Sequence, residues 1–76
     1  MTDVPQTHED VVAKAVEALG GVWDTQRAVT TLRDFGHEPA DQRAAEKEAR
    51  RVLRRLASKG ALVKIDPVRA IYRSAV

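Results

Sequence analysis

The sequence predicts an α+β fold, mainly α-helical, with a small β-hairpin at its C-terminal end. Three observations predict it. Apolar residues recur every three or four positions in three successive segments, each opened by residues suited to a helix N-terminus. After Gly60 the period drops to two and β-forming residues take over. The chain has 76 residues and no cysteine, enough for one domain near the lower size limit for folding without staples.

Met1 to Gln6 has no periodicity and contains Pro5, so a disordered lead-in is expected before a single domain over 7–76. Thr7 suits an N-cap, with Glu9 and Asp10 where negative charge favours the helix dipole. The first helix is predicted from His8 to Leu19, ended by Gly20. Val12, Ala15, Val16 and Leu19 form its core face. Val11 and Ala18 widen that stripe, which means either partial exposure or a dimer contact. Gly21-Val22-Trp23 can form only a short strand or extended link before Asp24, the next N-cap. The second helix is predicted from Thr25 to Phe35, with Ala28, Val29, Leu32 and Phe35 facing inward and Gly36 stopping it. Trp23, the only tryptophan, reads as a large plug over the helix junction.

His37-Glu38-Pro39 leads into a third helix predicted over Pro39 to Lys59. Pro39 opens it, since a proline's missing N–H would have no partner there anyway, and Asp41 adds negative charge to the first turn. Beyond Gly60, the segments ALVKI (61–65) and AIYRS (70–74) flank Asp66-Pro67-Val68-Arg69, which reads as a hairpin with Arg69 at or beside its tip.

The third helix organises the rest. Ala45, Ala49, Val52, Leu53 and Leu56 make its buried seam. At about 100° per residue, Arg43, Lys47, Arg50, Arg51 and Arg54 gather on the opposite side, with Glu46 and Glu48 on the flanks. This ridge repels itself. Arg43–Lys47, Lys47–Arg51, Arg50–Arg54, Arg51–Arg55 and Arg55–Lys59 are like-charged pairs four residues apart, each costing an isolated helix roughly 0.2–0.5 kcal/mol. Only Glu46–Arg50, Arg43–Glu46 and Glu48–Arg51 act in the other direction. The helix dipole accounts for cations at the C-terminal end, Arg55 and Lys59, but not for those a turn or more earlier. An anionic partner would turn the repulsion into attraction.

The formal charge of +2 conceals an asymmetry. Residues 1–42 carry three Lys/Arg against eight Asp/Glu, a balance of −5, and residues 43–76 carry ten against three, a balance of +7. Lys64, Arg69 and Arg73 continue the basic half along the hairpin. A small domain can present such a half to nucleic acid. The lack of cysteine fits a reducing compartment, no apolar run approaches a membrane span, and the start is not a signal peptide. A soluble cytoplasmic protein is the expectation, with no membrane partner.

Helix, short strand, helix, turn, longer helix and hairpin: this order resembles the winged helix-turn-helix superfamily. The likeness is carried mainly by residues 48–73, where EARRVLRRLASKGALVKID…AIYR is similar to a recognition helix closing on Leu-x-x-Leu, a Lys-Gly pair and a hydrophobic strand. Residues 22–36 match more loosely, as a first strand and positioning helix. The resemblance implies three helices plus a C-terminal wing. It places Lys47, Arg50, Arg51 and Arg54 at the exposed recognition-helix positions, and Arg69 at a wing tip that meets backbone or minor groove. Thr30, with Arg27 or Arg33, would join the backbone contacts. One departure stands out. Family members place only a few residues before the basic part of the recognition helix, whereas Gly36 to Arg43 is longer. Either the helix has an extra N-terminal turn or two, or residues 37–42 form a loop.

Other chemistry leaves no trace in the sequence. His8 and His37 fall in different segments with no metal-ligand spacing, there is no phosphate-binding glycine loop, and Ser58 and Ser74 have no histidine placed as a base. No cofactor, metal, small-molecule effector or enzymatic activity is expected. The leading expectation is a sequence-specific binder of double-stranded DNA, a small transcriptional regulator, such as a repressor, from a bacterium, phage or plasmid that acts by occupying its site. A homodimer on two half-sites is expected, through the flank of the first helix or through Ala75-Val76. The alternatives are an architectural accessory factor for excision, replication or partition, and a winged-helix docking module for proteins.

Overall fold

The computed structural model describes residues 7–75. Three helices and a three-stranded antiparallel sheet make a small α+β domain, in the order α1 (His8–Leu19), β1 (Val22–Asp24), α2 (Thr25–Asp34), α3 (Gln42–Ser58), β2 (Leu62–Lys64) and β3 (Ile71–Ser74). The predicted lead-in, Met1 to Gln6, and Val76 lie outside the described residues.

Each helix starts where a side-chain oxygen replaces a missing backbone acceptor. Thr7 Oγ1 accepts from the Asp10 amide, Asp24 Oδ1 from Arg27 and Asp41 Oδ1 from Ala44, at 3.1, 2.9 and 2.8 Å. The third of these corrects the sequence reading. Asp41 caps α3 instead of sitting in its first turn, and Pro39 stays in the connection because a carboxylate two residues later supplies the stronger start. The stretch from Phe35 to Asp41 is therefore a link, and α3 is about 25 Å long.

The ends of α2 and α3 share one device. His37 N–H donates to Leu32 O and Gly36 N–H to Arg33 O; Ala61 N–H donates to Leu56 O and Gly60 N–H to Ala57 O. Gly36 and Gly60, at φ 91° and 86°, make these reversals in the left-handed region that side chains avoid. Both helices end one residue sooner than the periodicity suggests. Phe35 consequently becomes the cap of α2 and is 63% exposed instead of joining the core, because the chain has already turned away from the helical stripe.

The core joins Val11, Val12 and Val16 of α1, Ala28, Val29 and Leu32 of α2, and all five predicted seam residues of α3 to Trp23, Leu62 and Tyr72. Leu19 is a further correction: it lies on the stripe of Val12 and Val16, but the last turn of α1, Glu17 to Leu19, is exposed and leaves it 68% accessible. Val11 is buried within the domain, so the sequence's candidate dimer flank keeps only exposed Ala18. Trp23 is fully enclosed and donates from Nε1 to Gly20 O at 3.0 Å, the plug its size suggests.

In the sheet β3 is central, in the order β1-β3-β2. Trp23 lies opposite Tyr72 and Val22 opposite Arg73, while Leu62 pairs with Ser74 and Val63 with Arg73. Trp23, Tyr72, Leu62 and Ser74 are buried on the helix-facing side, and Val22, Arg73 and Val63 are exposed on the other. The hairpin is the predicted one with shorter strands, and its link to β1 is what makes it a sheet.

Candidate nucleic-acid interface

The cations of α3 are divided between two flanks by what α1 brings against them. On the α1 side, Glu48 accepts from Arg51 Nε and Nη2 at 2.7 and 2.8 Å, and His8 Nδ1 lies 2.6 Å from the same carboxylate. Glu9 pairs with Arg55 at 3.2 Å and also with Lys59. Hydrogen bonds from Arg51 and then from His8 hold the Glu48 carboxyl down to about 2. Glu9 is lowered by Lys59 first and by Arg55, and Arg51 is raised by Glu48. Arg51, Arg55 and the C-cap residue Lys59 are thus paired inside the molecule, the last two sharing one carboxylate, and only the Glu48–Arg51 pair is readable from sequence spacing.

On the far flank the carboxylates run out. Arg43, Lys47, Arg50 and Arg54 recur at intervals of four, three and four residues, a stripe about 16 Å long. Among the described residues Arg43, Lys47 and Arg54 are exposed and form no ion pair. Arg50 has only Glu46 at 3.9 Å, and Gln42 already donates to that carboxylate at 3.0 Å. The stripe starts at the first turn of α3 because Asp41 caps the helix immediately before it.

The hairpin cations divide as well. Lys64 sits opposite Tyr72, hence on the helix-facing side of the sheet, at its β2 edge. Arg69 is exposed in the turn between β2 and β3. That turn is tied by Asp66 Oδ1, which accepts from the Val68 and Arg69 amides at 2.8 Å each, and these bonds lower the Asp66 carboxyl. Val68, 87% exposed, projects beside Arg69. Arg73 points away from all of these, into the outer face of the sheet between Val22 and Val63.

Helix α2 adds less than the sequence suggests. Arg27 is turned inward: Nη1 donates to Val22 O at 2.7 Å and to Gly20 O at 3.2 Å, and its guanidinium lies 4.0 Å from the Trp23 ring centre. Thr30 is exposed and its side chain makes no hydrogen bond among the described residues. Arg33 lines an open cleft of about 380 Å³ where the end of α2 meets the start of α3, with His37, Glu38, Asp41 and Gln42.

The two histidines, far apart in the chain, meet in space. Their ring centres are 4.1 Å apart, edge to face, and His37 Nε2 is buried without a hydrogen-bond partner. Among the described residues no group of three or more histidine or carboxylate side chains is arranged to hold a metal ion, and no helix is long and apolar enough to cross a membrane. No protein-family model, curated protein or solved structure matches this chain.

Proposed function

We propose that the chain is a winged helix-turn-helix protein that binds double-stranded DNA, with α3 in the major groove and the turn between β2 and β3 on the backbone or minor groove. The observation that carries this reading is the stripe of Arg43, Lys47, Arg50 and Arg54, exposed along one flank of α3 and nearly without carboxylates. Intramolecular acids pair with the cations of the other flank, whereas the stripe keeps its positive potential for an external polyanion. A helix fits a groove about 12 Å wide, and arginine can pair bidentately with guanine O6 and N7. Most of these cations contact phosphates, which supply affinity and register, and one or two read base edges. Lys64 and Arg69 extend the contact. The domain regulates by occupying its site, as a repressor does.

The test is binding to a duplex at several salt concentrations. Affinity is expected to fall linearly on a log–log plot, with a slope near −0.9 for each phosphate neutralised. Lys47→Ala combined with Arg54→Ala is expected to flatten that slope by about 2. Binding that ignores both salt and this double substitution would move the stripe to the docking-module reading, facing an acidic protein.

A further inference from the structure

The sheet has a layer of helices on one side only. Its uncovered face is a small grid set by the strand register. One row is Val22, Arg73 and Val63; the next is Asp24, Ile71 and Ile65, continued beyond β2 by the Ile65 amide donating to Ile71 O at 3.0 Å. Val22, Val63 and Ile65 are 51%, 49% and 49% exposed, and Ile71 is half-buried. Four aliphatic side chains therefore share one open surface, an arrangement that marks an interaction site more than isolated exposed residues do.

The two charges on this grid are opposite and do not meet. Arg73 occupies the central strand, surrounded by aliphatic groups, and forms no ion pair among the described residues. Asp24 is exposed at the β1 corner, where Oδ1 caps α2 and the second oxygen has no partner within the described residues. A face with a cation at its middle, an anion at one corner and aliphatic groups between and beside them is complementary to itself. A two-fold axis in the plane of contact sets each Arg73 against the partner subunit's Asp24, closing two reciprocal ion pairs around the aliphatic groups.

We propose that the outer sheet face is a self-association surface whose occupant is the same face of a second copy of this chain. Three strands span only about 10 Å, and a standard interface buries about 800 Å² on each partner. The dimer is accordingly weak and in rapid exchange. Arg73 then serves the dimer and not nucleic acid. This inference does not rest on the DNA-binding reading, and its test contains no DNA.

The full chain is followed by sedimentation equilibrium and by amide chemical shifts from micromolar to millimolar concentration. The expected result is reversible dimerisation, with concentration-dependent shifts confined to Val22, Asp24, Val63, Ile65, Ile71 and Arg73. Arg73→Glu is expected to weaken the association about tenfold or more without changing the circular dichroism spectrum. Asp24→Asn, which retains a capping oxygen, is expected to weaken it in the same direction. A monomer throughout the range overturns the proposal and leaves the face to a different protein. A dimer that tolerates Arg73→Glu, or whose shifts map to α1, overturns it by placing the contact elsewhere.

Discussion

Two arginines that look equivalent in the sequence do different work because of what lies within reach of each guanidinium. Arg27 satisfies two carbonyls at the Gly20–Val22 bend and covers the face of Trp23. Arg54 touches no carboxylate among the described residues. Arg27→Ala is expected to cost about 1–2 kcal/mol of stability, since it removes the bond to Val22 O and uncovers the Trp23 ring while Gly20 O keeps its Trp23 Nε1 donor, and to leave DNA affinity unchanged. Arg54→Ala should show the reverse, weaker binding with a thermal midpoint that holds or rises slightly as Arg50–Arg54 repulsion is relieved. Denaturant titration and duplex binding on the same two variants separate the roles. Leu53, fully buried in the α3 seam, belongs to the core alone. Leu53→Ala is expected to cost about 2–5 kcal/mol in a denaturant titration, a large share of what so small a domain has.

At the scale of elements, α1 sets the boundary of the basic surface on α3. Its Glu9 occupies Arg55 and Lys59, and its His8 lies beside the Glu48 that holds Arg51. Glu9→Gln is expected to release two cations to the solvent side. Duplex affinity at low salt should then rise and the salt dependence steepen, by up to about 0.9 for each cation that reaches a phosphate. A salt titration of the variant against the parent chain checks this, and an unchanged slope would mean that the α1 flank never approaches DNA. The backbone of the hairpin turn is tied by Asp66, which accepts from the Val68 and Arg69 amides.

For the whole molecule, Glu9 of the acidic half reaches Arg55 and Lys59 of the basic half, and two carboxylates within the basic half are held as firmly. Glu9, Glu48 and Asp66 all have carboxyls lowered by their folded partners. A carboxyl lowered on folding contributes stability above its unfolded value, and that contribution is lost as pH falls through the folded one. For Glu48 the window runs from 4.5 down to about 2. The thermal midpoint is therefore expected to drop progressively across this acid range, and Glu48→Gln should flatten the decline while lowering the midpoint at neutral pH. A midpoint independent of pH over that window would show that these pairs are not formed in solution.

Local chemistry made much of this molecule legible from residues alone. Thr7 and Asp24 begin helices because their side-chain oxygens lie beside amides that lack acceptors, and the α3 seam follows from spacing that any helix imposes. Four members of the basic ridge, Arg43, Lys47, Arg50 and Arg54, were legible for the same reason, whereas Arg51 is held on the α1 flank by Glu48. Tertiary structure decided what depends on residues far apart in sequence: that β1 joins the hairpin through β3, that Leu19 and Phe35 fall outside the core, and that Arg27 turns inward. It also decided which cations keep their charge unopposed, since Glu9 lies 46 residues from Arg55 and His8 lies 40 from Glu48. Periodicity reports which side of a helix is apolar, but only packing determines which carboxylate arrives beside which guanidinium.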